Sequence, residues 1–252
     1  MSKFKTIAID SAGELARACF SKDMGKVARD MSTIRAMQNY PGTTERLNMF
    51  VRRCKDYKAA GIEIVFTAHE DIQQVYAKGG MMAKKGEPQP EPAAVKGWPD
   101  LPGRHAPDEF CRSVDNIFRV RFVNGQPAWV AKREIMVGEY YWDVKDRFNA
   151  PALRGGYLPA SYTELAALAS QQKECFWDPP YVWILYGTFG IGKTRSLLTF
   201  PRPLLILDLD RGTDSIRREI TESKGEITVI DLNPEDKDTW EKVLKETEAA
   251  TA

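Results

Sequence analysis

Gly187-Thr188-Phe189-Gly190-Ile191-Gly192-Lys193-Thr194 fits the phosphate-binding loop pattern G-x-x-x-x-G-K-[ST] at every fixed position. Glycines let the backbone turn so that several N–H groups point inward at phosphate oxygens. The helix expected to start there adds the positive end of its dipole. Lys193 can reach the β- and γ-phosphates, and the Thr194 hydroxyl can ligate Mg²⁺. Arg195 closes the set of cofactor-binding candidates. Context gives so short a pattern its weight. Before it, Tyr181-Val182-Trp183-Ile184-Leu185-Tyr186 is an apolar run of buried-strand type. After it, Arg195 to Phe200 reads as a short helix stopped by Pro201. Strand, glycine loop and helix in that order point to an ATP site with Mg²⁺ rather than to an incidental glycine turn.

The rest of the composition narrows the class. A chain of 252 residues can form one large α/β domain. Lys and Arg number 36 against 35 Asp and Glu, so any nucleic-acid site must be a local patch. No apolar run approaches the length of a membrane span. The N-terminal residues run directly into a strand pattern, so no signal peptide is expected. Cys19, Cys54, Cys111 and Cys175 form no C-x-x-C, which suits free thiols in a reducing cytoplasm. Only His69 and His105 are available, which argues against zinc.

Outward from the loop, strands alternate with helices. Thr6 to Asp10 reads as a buried parallel strand ending in a carboxylate, followed by a helix from about Ala12 to Phe20. Thr43 and Thr44 can cap a helix running to Ala60, and Ile62 to Thr67 is the next strand. Ala77 to Arg104, rich in Pro, Gly and Lys, is expected to be an irregular loop. A short helix over Pro107 to Ser113 precedes two strands, Asn116 to Val123 and Ala128 to Ile135, which flank the hairpin signal Asn124-Gly125. Tyr140 to Val144 is a further candidate strand, and Ser161 to Gln172 an amphipathic helix. Beyond the phosphate loop come a strand over Pro203 to Asp208, a helix capped by Asp214, a strand over Ile227 to Asp231 and a closing helix from Glu235 to Glu248. The expected fold is a single α/β domain over 1–252, a mainly parallel sheet with helices on both faces and an antiparallel hairpin.

The order of these parts is rotated. In ATPases of the RecA type the phosphate loop comes first, then a strand ending in a catalytic acid, then the magnesium-site strand, a sensor strand, DNA loops and a hairpin. Here the chain stops soon after the loop, and the missing strand ending in Asp is Thr6 to Asp10. Placing 181–252 before 2–170, with 171–180 joining the old ends, restores the order. With it restored, the chain resembles the RecA-like ATPases of phages in the Sak group of single-strand annealing proteins. It is more distantly similar to RecA and RadA recombinases and to DnaB-type helicases. The resemblance rests on Gly187 to Thr194, Leu207-Asp208-Leu209-Asp210-Arg211-Gly212, Ile7-Ala8-Ile9-Asp10-Ser11, Phe66-Thr67-Ala68-His69-Glu70, Leu101-Pro102-Gly103-Arg104 and Lys145-Asp146-Arg147. It implies a circularly permuted RecA-type P-loop core.

The resemblance also implies roles. Asp10, at the carboxyl edge where open parallel sheets place ligands, would hold Mg²⁺ with Thr194. Asp210 would be the acid that polarises the attacking water, with Asp208 the alternative or a turn cap. His69 would sense the γ-phosphate, or simply face solvent at a strand end. Lys145 and Arg147 would enter a neighbour's nucleotide site as an arginine finger does, or form a solvated cluster. The first of these implies a homo-oligomer, ring or helical filament. Lys78, Lys84, Lys85, Lys96, Trp98 and Arg104 suit single-stranded DNA through phosphate contacts and base stacking, against an ordinary surface loop. Lys22, Lys26, Arg29 and Arg35 would form a second DNA loop. The expected function is a Mg²⁺-dependent, DNA-stimulated ATPase of phage recombination or strand annealing in the host cytoplasm, with a single-strand binding protein as a candidate partner. The rivals are a helicase-type or translocase motor and a nucleotide-gated binding module that does not hydrolyse.

Overall fold

The computed structural model describes residues 3–24, 34–75, 94–101, 106–132, 135–136, 140–142, 144–149 and 156–251. Six strands lie parallel in one sheet. They are β1 (Thr6–Asp10), β2 (Glu63–Val75), β4 (Asn116–Val123), β9 (Val182–Gly187), β10 (Leu204–Asp208) and β11 (Ile227–Asp231). β5 (Gln126–Val130) and β8 (Tyr157–Pro159) continue it antiparallel, giving the order β11-β10-β1-β2-β9-β4-β5-β8. The far half of β2 leaves this plane and pairs antiparallel with β3 (Ala94–Pro99). β7 (Tyr140–Trp142) pairs with β3, and β6 (Ile135–Met136) with β7. The fold is therefore α/β with a mostly parallel, mixed sheet.

Alternation along the central strands feeds two cores. Ile7, Ile9, Ile64, Phe66, Val182, Ile184, Leu205 and Leu207 face one side. There they meet α1 (Ala12–Met24), α2 (Ile34–Ala59), α3 (Ala106–Ser113) and α7 (Thr239–Thr251) through Leu15, Phe50, Phe110 and Trp240. Ala8, Val65, Trp183, Leu185, Leu204 and Ile206 face the other. They pack with α4 (Tyr162–Gln171), α5 (Lys193–Leu197) and α6 (Arg217–Glu222), and with an aromatic cluster built on Trp129, Trp183, Phe118, Phe148 and Phe200. Strands apolar on both faces need both covered, which is why they read as unbroken hydrophobic runs.

Several local expectations are corrected. The helix expected from Thr43 begins at Ile34 and runs through Pro41, so Thr43 and Thr44 lie inside α2 and cap nothing. The apolar stripe Leu47, Phe50, Val51 and Cys54 packs into the core and holds the helix across the proline. The expected irregular loop 77–104 contains β3, because β2 extends well past Thr67 and offers it an edge. The second hairpin strand starts at Gln126 and ends at Val130, not Ile135, and β8 was not anticipated at all. Asp214 does not cap a helix. It lies within a 3-10 turn over Gly212–Ile216 and pairs with Arg217, and α6 follows. The last helix begins at Thr239 rather than Glu235.

Two buried carboxylates anchor the start of the phosphate-loop strand. Glu63 accepts from the Tyr181 N–H at 2.8 Å, from Trp183 Nε1 at 2.7 Å and from the Tyr162 hydroxyl at 2.7 Å. Asp115 accepts from the Val182 N–H at 3.0 Å and from Lys58 Nζ at 3.1 Å. The backbone entering β9 is thus tied on both sides before it reaches the loop. Burial pushes the Glu63 carboxyl above its ordinary 4.5, against the pull of these donors. A glutamine can keep all three bonds, its oxygen accepting from both N–H groups and its amide donating to the tyrosine oxygen. Glu63→Gln is therefore expected within about 1 kcal/mol of wild type, whereas Glu63→Leu strands buried donors and costs about 2–4 kcal/mol in urea unfolding. The folded state holds the Glu63 proton more tightly than the unfolded chain. Wild-type stability relative to Glu63→Gln should therefore be greatest below about pH 4.5 and decline as pH rises above it. A difference independent of pH would contradict this.

Candidate functional site

The phosphate-loop sequence leaves β9 at Gly187 and turns on two glycines in left-handed conformation, Gly190 at φ 73° and Gly192 at φ 93°. L-residues with side chains rarely adopt that region. Gly187 is needed for a different reason: a Cβ there would lie 2.5 Å from the Val120 carbonyl oxygen of neighbouring β4. The helix that follows, α5, has only five residues, so the loop N–H groups carry more of the anion-binding potential than the expected dipole does. Lys193 is 8% exposed, and its Nζ donates to the Gly187 carbonyl at 3.0 Å and the Thr188 carbonyl at 2.8 Å. Burial lowers its pKa, while Asp10, Asp210 and Glu70 oppose that.

Asp10 reaches the loop from the opposite end of the chain. Its Oδ2 accepts from the Thr194 hydroxyl at 2.7 Å, and its Oδ1 from the Thr67 hydroxyl. It is 2% exposed. Burial, then the nearby Asp210, pushes its carboxyl up to about 7. Thr67 was not singled out as a site residue in the sequence, although a threonine inside the buried run Ile64 to Ala68 was a signal.

The two candidate acids after β10 divide cleanly. Asp208 is buried and accepts from the N–H groups of Asp210, Gly212 and Thr213 at 3.3, 3.1 and 3.0 Å, and from the Thr213 hydroxyl. It holds the turn. Asp210 spends Oδ1 on the Gly212 N–H at 2.9 Å and lies with Oδ2 3.8 Å from His69 Nε2. Carboxylate oxygens of Asp10, Asp208 and Asp210 come within 4.8 Å of one another. Such a set, beside the Thr194 hydroxyl, suits a hard, oxygen-seeking cation such as Mg²⁺. Gly212 borders it closely: a Cβ there would lie 2.5 Å from Asp10 Oδ2 and 2.8 Å from Thr194 Oγ1. The spacing Asp208-x-Asp210-x-Gly212 was the sequence signal for that residue.

His69 pairs in register with Gly187 and stacks on Phe189, ring centroids 6.1 Å apart and planes at 21°. Burial, then the neighbouring Lys193, lowers its pKa, which favours the neutral ring. It thus stands between the loop and Asp210. Phe189 is 90% exposed. The next residue, Glu70, forms an ion pair with Arg119 on β4 at 2.9 Å.

Other expected site residues are placed differently. Lys145 does not project as a finger: its Nζ donates to the carbonyls of Arg112 at 2.8 Å, Cys111 at 3.3 Å and Val114, closing the C-terminal end of α3. Arg147 is exposed, 4.0 Å from Asp115. Trp98 is 5% exposed and Lys96 lies over its ring at 4.3 Å while pairing with Asp108 at 2.9 Å. A buried, covered ring is not a stacking platform for a base. Lys78, Lys84, Lys85 and Arg104 lie outside the described residues, as do Lys26 and Arg29, and nothing is described of the Arg35 side chain. Lys22 pairs with Glu241 on α7. Arg195 pairs with Glu219 at 2.6 Å.

No protein-family model, curated protein or solved structure matches this chain. No helix among the described residues is long and apolar enough to cross a membrane.

A Cβ at position 212 would press on Asp10 Oδ2 and Thr194 Oγ1, so any Mg²⁺ held between them should bind roughly 10-fold more weakly in Gly212→Ala, the scale seen when partners of a metal site are displaced. Gly212 carries no positive φ, so any fall in the variant's thermal midpoint should come from the contacts with Asp10 and Thr194 and not from backbone strain. An unchanged Mg²⁺ affinity would show that position 212 borders no metal site.

Proposed function

We propose that this chain is a Mg²⁺-dependent ATPase with a circularly permuted RecA-type core, which binds single-stranded DNA in recombination or strand annealing. One observation carries the reading. Thr194 and Asp10, 184 positions apart, meet at 2.7 Å beside a glycine loop and a buried lysine. A phosphate-loop threonine next to a strand-end aspartate is what a nucleotide-bound Mg²⁺ requires. The strand order adds support: the strands ending in Asp208 and Asp10, the strand carrying His69 and the strand leading into the loop lie side by side as β10-β1-β2-β9. That is the set of acid, magnesium, sensor and phosphate strands that a rotated RecA core would bring together.

In this reading Lys193 exchanges the two loop carbonyls for β- and γ-phosphate oxygens. Thr194 and Asp10 hold Mg²⁺, which would neutralise phosphate charge when bound. Asp210 orients the attacking water through Oδ2, and His69 couples the occupied loop to β2. Single-stranded DNA remains a proposal from the basic, glycine-rich segment 76–93 that follows β2, since Trp98 is withdrawn from it. Arg147 is the cation left for a neighbouring copy in a homo-oligomer.

A second reading, a nucleotide-gated module without turnover, is favoured by one feature. The acid is a short Asp whose Oδ1 is already committed to Gly212. ATP hydrolysis with and without single-stranded DNA separates the two. Turnover should rise with DNA and fall by about 10² or more in Lys193→Ala and Asp10→Asn, the scale seen when transition-state charge partners are removed. Binding of ATP without turnover would favour the gated module. Turnover indifferent to DNA would remove the DNA coupling.

A further inference from the structure

The turn after β10 has Arg211 at its crown, held at φ 62° and ψ 26°. Left-handed backbone is ordinary for glycine and uncommon for a residue with a side chain. The conformation is fixed from both sides. The Asp208 carboxylate accepts from the N–H groups of Asp210 and Gly212, the two neighbours of Arg211. The Arg211 carbonyl accepts from the Asp214 N–H at 3.2 Å. The base of the residue is therefore set, while the residue itself is exposed. Among the described residues its guanidinium has neither an ion-pair nor a hydrogen-bond partner. Asp210 precedes it in the chain but faces Gly212 and His69. Three neighbouring arginines are engaged: Arg17 with Glu14 at 2.9 Å, Arg119 with Glu70 at 2.9 Å and Arg195 with Glu219 at 2.6 Å.

Its place decides what such a cation can do. A Cβ on Gly212 would lie 2.8 Å from Thr194 Oγ1 and 2.5 Å from Asp10 Oδ2. The Arg211 Cα is only about 3.8 Å further back along the chain. An extended arginine side chain spans the distance from there to the mouth of the phosphate loop. Arg147 cannot do this for its own chain. Its N–H donates to Asn116 at the start of β4, and β4 runs parallel to β9, so Arg147 lies at the opposite edge of the sheet from the loop. We propose that Arg211 is a catalytic residue, whose guanidinium turns onto the γ-phosphate of the nucleotide held by its own chain. In the step it serves, the oxygen of water bonds to the γ-phosphorus. The bond from that phosphorus to the bridging oxygen breaks, its electron pair stays on ADP, and one water proton passes to solvent. The products are ADP and inorganic phosphate. Arg211 donates to the γ-phosphate oxygens on which charge gathers, the part an arginine finger plays when a neighbour supplies it. An arginine placed where glycine would suit the backbone better points to its side chain as the reason. The proposal rests on the phosphate-loop reading above, and the test separates the two.

Phosphate release from ATP is followed in the full-length chain with Mg²⁺ present, beside ATP binding by calorimetry. Arg211→Gln and Arg211→Gly should turn over about 10²-fold more slowly than wild type or slower still, the scale of a lost transition-state charge partner. ATP affinity should stay within about 3-fold, because the contact strengthens only as the bond breaks. Glycine takes the left-handed turn without strain, so Arg211→Gly removes the side chain and keeps the backbone. Free guanidinium ion, below denaturing concentrations, should restore part of the turnover of Arg211→Gly and none of that of Lys193→Ala, a response that a merely structural role would not give. Mixing Arg211→Gly with Asp10→Asn, which keeps its arginine, should restore nothing. Recovery on mixing would show the arginine acting on a neighbour's site and overturn its role within the chain. Turnover of Arg211→Gln within about 3-fold of wild type would remove Arg211 and keep the ATPase. ATP binding that is lost in Lys193→Ala, with no wild-type turnover, would also overturn the catalytic arginine while keeping the phosphate loop. ATP binding indifferent to Lys193→Ala would bring down the phosphate loop and the role of Arg211 together.

Discussion

Asp10 can meet Thr194 only because β1 lies two places from β9 in a parallel sheet, with β2 between them. Neighbouring strands sit about 4.8 Å apart, so the carboxylate at the end of β1 starts about 10 Å from the strand that delivers the loop. Within that gap β2 carries Thr67 and His69. The loop and α5 fold back over the end of β2, and the Thr194 hydroxyl spans what remains. Register enforces it: Asp10 lies opposite Asp208 on β10, and His69 opposite Gly187 on β9. A slip of one residue in any of these pairs would turn the site's side chains to the other face.

The acidic residues of this protein do different work according to who supplies their hydrogens. Glu63, Asp115 and Asp208 are buried and saturated by backbone N–H groups and fixed side chains, so each acts as a clasp. The first two hold the entry to β9, and the third holds the turn after β10. Among the described residues, the carboxylate of Asp10 takes its hydrogen bonds from two hydroxyls, those of Thr67 and Thr194, rather than from backbone N–H groups. Asp210 commits one oxygen to the Gly212 N–H and presents the other towards His69. Hydroxyl donors can be exchanged for a cation at little cost in structure, because a hydroxyl oxygen is itself a ligand. Backbone donors cannot. That difference separates clasps from site residues better than residue type does.

Legibility followed the range of the interactions. β1, β4 and β11 were read to the residue because their signals are local: an apolar run ending in Asp10 for β1, β-branched residues ending in Asp231 for β11, and for β4 the Asn124-Gly125 hairpin turn that bounds it. The glycine loop was legible for the same reason, its conformation being dictated by Gly190 and Gly192. α2 was misread at its start, since Pro41 and Gly42 look like a stop and only packing against the sheet carries the helix through them. β3 and the burial of Trp98 were invisible, since they depend on the edge that β2 offers beyond Thr67. Lys145 looked like a projecting cation because nothing local reveals that α3's last carbonyls converge on it.

By itself, the sequence determined the strand–loop–helix unit from Tyr181, with its helix read to Phe200 although α5 ends at Leu197, the strand ending in Asp10 and the set of polar residues from which a site could be assembled. These are consequences of backbone freedom and short-range hydrophobic pattern, which need no partner from elsewhere in the chain. Only the tertiary structure decided which acids are saturated clasps and which keep exchangeable partners, that Gly212 stands against Asp10, and that a groove adjoins Gly192. Each of these depends on contacts between segments far apart in sequence, and those distances exist only once the sheet has brought β1, β2, β9 and β10 into register.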